Sequence, residues 1–324
     1  MTGDSGGAPD LRTLIRDYLA MRRALGFKLD GSGHVLAAFA DYLDRCDDQT
    51  VTVEHAVRFA TAAAGSSARS RALRLSTIRL FARWAQLLDP RIEVPPARLL
   101  PARATRPTPF IYSQQQLEAL LAAADQLHPR FRAVTFRTLL SLQAATGVRT
   151  GEAIGLDVSD LDLRQETLTV TGKYGKTRLL PLHPTVTEAL TGYLDTRSQL
   201  LPAAHCPALL ISTRGTRLGR GSIHPTFRAL AKRAGLTAAS SASRPRPHDL
   251  RHTFALNTML DAYQSGADPA ATLPLLATWL GHAEPRDTYW YLTGTAELMA
   301  AATSRLNRAT GADGADGADG ADRT

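Results

Sequence analysis

Four short stretches of the chain concentrate side chains able to hold an anion, move a proton or act as a nucleophile. In RPHDLRHTFA, residues 246–255, His248 and Arg251 have a His-x-x-Arg spacing that puts them one turn apart on one face of a helix. Nine histidines and 34 arginines produce about one such pair by chance, and a second, His55 with Arg58, occurs near the N-terminus. In WLGHAEPRDTYWYL, residues 279–292, His282 is followed by Tyr289 and Tyr291. A tyrosine hydroxyl, with a pKa near ~10, is a poor nucleophile at neutral pH unless its neighbours activate it. The alternative for that stretch is an aromatic-rich helix in a core. Only four lysines occur, Lys28, Lys173, Lys176 and Lys232, and two of them share the turn of GKYGKTR. Lysine can release a proton near neutral pH when its pKa is lowered, whereas arginine cannot. The fourth stretch, GVRTGEAIGL, places Arg149 and Glu152 just after a glycine break. Taken singly, none of these stretches selects a reaction.

The elements that must position them are readable from periodicity. Apolar residues recur at helical spacing from Leu11 to Phe27, and further helices are expected at about 33–45, 53–64 and from a Ser66 or Ser67 N-cap to about Leu88. On this fourth helix Leu73, Leu80, Phe81, Trp84, Leu87 and Leu88 share one face, and Arg71, Arg74, Arg79 and Arg83 spread over the other. That arginine face is either solvated or a phosphate-tracking surface beside a DNA groove. Proline and arginine then crowd residues 89–109, a composition that predicts an extended linker. The expected boundaries are therefore a helical domain at 11–89, a linker at 90–110 and a second domain at 111–309.

In the second domain, Ser113 and Gln116 form a possible capping box, and an apolar helix breaks at Gly147 before another begins near Thr150. ETLTVTGKYGKTRLLPL alternates and is interrupted at Gly172–Gly175, which reads as a β-hairpin, and PALLIS is a candidate third strand. Helices are expected at about 222–234, 248–262, 270–280, 285–292 and 295–309. Asp157, Asp160 and Asp162 read as a capped, solvated turn rather than carboxylates converging on metals. Residues 1–10 and the repeat-bearing tail, 310–324, are expected to be disordered. The predicted fold class is mainly α with a small β-sheet (α+β).

Length suits two domains, and an apolar fraction of 44% needs no special staple. Cys46 and Cys206 are far apart and lack metal-type spacing, which fits a reducing compartment. The N-terminus lacks the apolar run of a signal peptide, and no segment approaches the ~20 apolar residues of a membrane span. A soluble cytoplasmic protein is expected. The net charge of +8 favours a polyanionic partner, nucleic acid over membrane.

Taken in order, GVRTGEAIGL, GKYGKTRLLPL, HDLRHT and LGH with Tyr291 nine residues beyond His282 resemble the boxes of the tyrosine recombinase (phage integrase) family. The wording around TYWYL is similar to recombinases carried by transposable elements. The resemblance spans about 111–309, and the N-terminal helices resemble the family's core-binding domain more loosely. It implies an integrase-type catalytic domain that breaks and rejoins double-stranded DNA through a 3′-phosphotyrosyl intermediate, in integration or excision of a mobile element. It implies Tyr291 as nucleophile, Arg149 and Arg251 as phosphate clamps, His248 as proton acceptor or further donor, His282 as phosphate donor and Lys173 as general acid. Glu152 would support Arg149, and Arg71, Arg74, Arg79, Arg83 and Lys176 would contact DNA. The chemistry needs neither metal nor cofactor, since bond energy is kept in the intermediate. Partners would be DNA and further protomers in a tetrameric synapse, with or without other recombinases. The competing readings are a type IB topoisomerase-like enzyme and a catalytically silent DNA-binding accessory protein of the same fold.

Overall fold

Helix-period spacing accounts for most of the described chain, which in this computed structural model comprises residues 10–48, 50–63, 65–101, 108–172, 175–236, 244–282, 299–300 and 302–303. Two compact units divide it, Met1–Arg106 and Pro107–Thr324. In the first, α1 (Leu11–Ala24), α2 (Asp30–Arg45), α3 (Val53–Ala62) and α4 (Ala68–Ala85) close around Tyr18, Leu36, Phe39, Leu43, Leu75, Ile78 and Phe81. Asp10, Thr52 and Ser67 cap α1, α3 and α4 by accepting from the amides of Thr13, His55 and Ser70. Each such cap is worth about 1 kcal/mol, because it satisfies an amide that has no partner within the helix.

The buried stripe of α4 differs from the expected one. Leu75, Ile78, Phe81, Ala82 and Ala85 are buried, while Leu73, Leu80, Leu87 and Leu88 are exposed, Leu87 by 81%. The cause is close approach: α4 packs on α1, α2 and α3, and the small Ala82 and Ala85 face those neighbours. A wheel weighted by large side chains misses a seam built partly on alanine. The proline-rich stretch also contributes to this core. Ile92 is buried, the Glu93 amide donates to the Val51 carbonyl at 2.8 Å, and Arg79 Nε donates to the Pro95 carbonyl at 3.0 Å.

The second unit is built on α6 (Arg130–Thr146), which packs against α5 (Gln114–Asp125), α8 (Pro184–Leu200) and α10 (Asp249–Gln264). Ser113 and Gln116 form the expected reciprocal capping box on α5. After α6 come a single turn, α7 (Thr150–Ala153), and the strands β1 (Leu161–Asp162), β2 (Thr167–Thr171) and β3 (Thr177–Pro181). They form one antiparallel sheet in the order β1-β2-β3, with Val170 opposite Arg178 and Thr171 opposite Thr177. The elements α9 (Arg220–Arg233) and α11 (Pro269–Leu280) complete the described fold.

Two elements depart from expectation. PALLIS is buried but makes only isolated bridges, Asp157 with Ala208 and Ile211 with Arg217, and β1 is the third strand instead. Its backbone groups are shared between side chains and separate loop partners. Arg197 donates to the carbonyls of Ala208 and Leu209 and of the preceding Cys206, and the Ile211 amide donates to the Tyr193 hydroxyl. Pro207, Leu209, Leu210 and Ser212 pair with the backbone of Val158, Leu156, Leu218 and Thr216. The 17-residue α8 was not foreseen, since Thr185, Val186, Thr187 and Gly192 weaken its helical signal. Pro184 at its first turn and the His183 ring accepting from the Thr185 amide were the readable start signals. The helices expected at 285–292 and 295–309 fall outside the described residues, except that 299–300 and 302–303 are helical. So do residues 1–9 and the 310–324 tail. Among the described residues, no helix is long and apolar enough to cross a membrane.

Candidate active site

Gly147 ends α6 in the left-handed region at φ 65°, and a Cβ there would stand 2.6 Å from the Phe254 ring and 3.0 Å from Leu280. Only glycine satisfies both conditions. The chain turns, buries Val148 and presents Arg149 immediately before α7. Glu152, three residues on, accepts from the Arg149 amide at 3.0 Å and from its Nη1 at 2.7 Å. Its two oxygens also accept from Arg178 on β3, at 2.9 and 3.3 Å. Burial opposes charge on this carboxyl, but the hydrogen bonds from Arg178 and the Arg149 backbone, with their positive charge, prevail and hold its pKa down at about 2.

Arg178 was not anticipated as a site residue. Its Nε also donates to the Trp279 carbonyl at 2.7 Å, and its guanidinium packs against Gly281, which ends α11 in the left-handed region at φ 65°. Arg149 Nη2 reaches the Gly281 carbonyl at 3.5 Å, and Trp279 Nε1 donates to the Thr146 carbonyl at 2.8 Å. Arg178 thus ties the base of the hairpin to the Arg149 turn and to the LGH turn. In sequence it is one arginine among 34, on a short strand whose partners lie 26 and 101 residues away.

The third box sits at the start of α10. Asp249, fully buried, accepts from the backbone amide, Nε and Nη2 of Arg246, at 2.9, 3.1 and 2.8 Å. Burial pushes its carboxyl up, while Arg246 pulls it back. Arg251 is buried at 0% exposure. Its Nη1 donates to the Gly147 carbonyl at 2.8 Å, and its Nη2 to the Leu280 carbonyl and to His282 Nε2 at 3.0 Å. With Nε2 accepting, the proton of a neutral His282 sits on Nδ1. His248 precedes α10 and keeps an exposed edge, yet crowding by protein and the positive charges of Arg251, Arg149 and Arg246 push its pKa down to about 4. It is therefore neutral at pH 7 and able to accept a proton. Its ring meets that of His252 edge-on, with centroids 5.1 Å apart.

His252 is 5% exposed, and burial with the surrounding positive charge pushes its pKa down to about 3. Below the ordinary 6.5 the unfolded chain takes up this proton and the folded chain does not. Stability from His252 is present above pH 6.5 and declines towards pH 3, by up to about 1.4 kcal/mol per pH unit. Urea midpoints measured from pH 7 to pH 5 are expected to fall more steeply in the wild type than in His252→Asn. Parallel profiles would show that the ring is not held neutral.

The structure thus brings Arg149, Glu152, His248, Arg251 and His282 into one cluster. Lys173 and Tyr291, with Tyr289 and Trp290, lie outside the described residues. Lys176 is exposed, and its carbonyl accepts from the Gly172 amide at 2.8 Å, closing the hairpin. Arg71, Arg74, Arg79 and Arg83 belong to the first unit. Of these, Arg71 donates to the Ser66 carbonyl and Arg79 to that of Pro95, while Arg83 is exposed.

The model of the phage integrase family matches residues 111–297. The chain is 40% identical over 304 residues to integrase/recombinase y4rB of Sinorhizobium fredii (strain NBRC 101917 / NGR234), covering 92% of this chain and 97% of that protein. It is 31% identical over 285 residues to tyrosine recombinase XerC of Mycobacterium leprae (strain TN), covering 85% and 86%. A lambda integrase tetramer bound to a Holliday junction shares the fold, with a TM-score of 0.61 at 19% identity over 89% of this chain and 78% of that one. The protein belongs to the phage integrase family of tyrosine recombinases.

Proposed function

We propose that the protein is a site-specific DNA recombinase of the cytoplasm, acting as a tetramer on paired DNA sites in the integration or excision of a mobile element. The observation that carries this reading is the convergence of Arg149, His248, Arg251 and His282 from three distant parts of the chain, locked together through Gly147, Leu280 and Gly281. Attack on a phosphodiester builds charge on its non-bridging oxygens, and preorganised guanidinium donors stabilise that charge. The Oη of Tyr291 attacks phosphorus, forming a 3′-phosphotyrosyl bond as the bond to the 5′-oxygen breaks. Neutral His248 takes the tyrosine proton, and Lys173 gives one to the leaving 5′-oxygen. A 5′-hydroxyl of a partner strand then reverses the step, so each bond broken is matched by one formed. Four DNA-binding arginines on α4, Arg71, Arg74, Arg79 and Arg83, and Lys176 at the hairpin, would follow the phosphate backbone.

The test begins with a duplex selected by the full-length protein from a random-sequence pool. That site is then made as a series of nicked suicide substrates, with the nick moved along the strand. Protein covalently attached to DNA, seen on a denaturing gel with a chelator present, is the expected result. Tight and sequence-selective binding with no adduct at any nick position would instead favour the accessory-protein reading. Adducts that only ever reseal the original strand, never a partner's, would favour the topoisomerase-like one.

A further inference from the structure

Arg220 opens α9, and its guanidinium lies across the backbone of Gly151, where a Cβ would stand 2.4 Å from Nη2 and 3.2 Å from Cζ. Gly151 lies inside α7, two residues after Arg149 and one before Glu152. Its missing side chain therefore forms a notch, and the notch holds a cation. The neighbouring guanidiniums all have partners within the protein. Arg149 and Arg178 share Glu152, Arg246 holds Asp249, Arg217 holds Asp157, and Arg251 holds two carbonyls. The guanidinium of Arg220 is different: it is exposed, and among the described residues it makes no hydrogen bond or ion pair.

Electrostatics make that placement informative. Glu152 is the carboxylate of α7, and it is already held between two guanidiniums. A further positive charge beside this turn is repelled by Arg149 and Arg178 rather than neutralised, unless an anion enters. Under the function proposed above, the anion presented to this face is DNA. We propose that Arg220 is a DNA-phosphate contact, taking a backbone phosphate that flanks the scissile one, and that Gly151 lacks a side chain so that the guanidinium can lie there.

Phosphate contacts have a quantitative signature, because each one releases condensed counterions: log Kobs falls with log[salt] by about 0.9 per contact on duplex DNA. The full chain is titrated with its selected duplex over a range of salt, as wild type, Arg220→Ala, Arg220→Lys and Arg137→Ala. Arg137 is an exposed arginine of the same unit already paired with Asp125, and it serves as the control for overall charge. Expected is a slope shallower by about 0.9 for Arg220→Ala, retention of the slope in Arg220→Lys, and no change in Arg137→Ala. Gly151→Ala keeps the net charge but displaces the guanidinium, so it should weaken binding alone and add no further loss to Arg220→Ala. An unchanged slope in Arg220→Ala, or an equal decrease in Arg137→Ala, overturns the assignment. Adducts with an unchanged Arg220→Ala slope remove this inference and leave the recombinase reading standing. Binding with the expected slope change but no adduct does the opposite.

Discussion

Tyr291→Phe is expected to reduce covalent attachment to a suicide substrate by about 10⁴-fold or more while leaving DNA affinity within about threefold. Phenylalanine keeps the ring and loses only Oη, the atom that must bond to phosphorus, so a defect in folding or docking is not confounded with one in chemistry. Tyr289→Phe is expected to form adducts at close to the wild-type rate. The sequence predicts a helix at about 285–292, and two residues apart on a helix two hydroxyls project roughly 200° from one another, so one phosphate cannot be in line with both. Arg149, His248, Arg251 and His282 form one cluster, and Tyr291 stands nine residues beyond His282. Loss of adducts in Tyr289→Phe alone would move the nucleophile by two residues. Normal adducts from both variants would show that neither hydroxyl attacks.

The boxes were legible because each is local: a glycine break with Arg149 and Glu152, a His-x-x-Arg turn, and a Leu-Gly-His helix end. Ser113 with Gln116 and the Ser67 cap were legible for the same reason, since a cap is decided within four residues. What stayed hidden depends on distant packing. The seam of α4 runs over Ala82 and Ala85 because three other helices approach it closely, which periodicity in α4 alone does not encode. PALLIS carries strand-like residues but gives its Ala208 and Leu209 carbonyls to Arg197 from α8, an element whose own signal was diluted by threonine and glycine. Arg178 and Arg220 are the sharpest cases. Both are ordinary arginines in sequence, and each acquires its meaning from a glycine far away in the chain, Gly281 for one and Gly151 for the other.

For Arg178 that meaning predicts a large effect without any contact to the reacting phosphate. Its side chain is 13% exposed, and that of its partner Glu152 is 6% exposed. Removing Arg178 leaves the buried Glu152 charge with Arg149 as its remaining partner, and losing hydrogen bonds to a charged group costs about 1.5–3 kcal/mol. Arg178→Ala should therefore lower stability, but the diagnostic effect is kinetic. Glu152 would lose two of its four hydrogen bonds and the Trp279 carbonyl would lose a donor. Arg149 and the LGH turn would then be held to one another less firmly, through Arg251, the Trp279 ring and the Arg149 contact to Gly281. Misplacing one preorganised donor to a developing oxyanion costs about 10²–10³ in rate. Adduct formation in saturating DNA is expected to slow by about 10²-fold, with DNA affinity changed only a few-fold. Arg178→Lys should recover little, because an ammonium cannot reproduce a planar fork that reaches two carboxylate oxygens and a carbonyl together. Glu152→Gln should slow the same step, and the double variant should be no slower than the worse single one, since both changes release the same turn. A purely structural ion pair makes a different forecast. Once each variant is measured well below its own melting temperature, the rate would return to normal and only the stability would stay low.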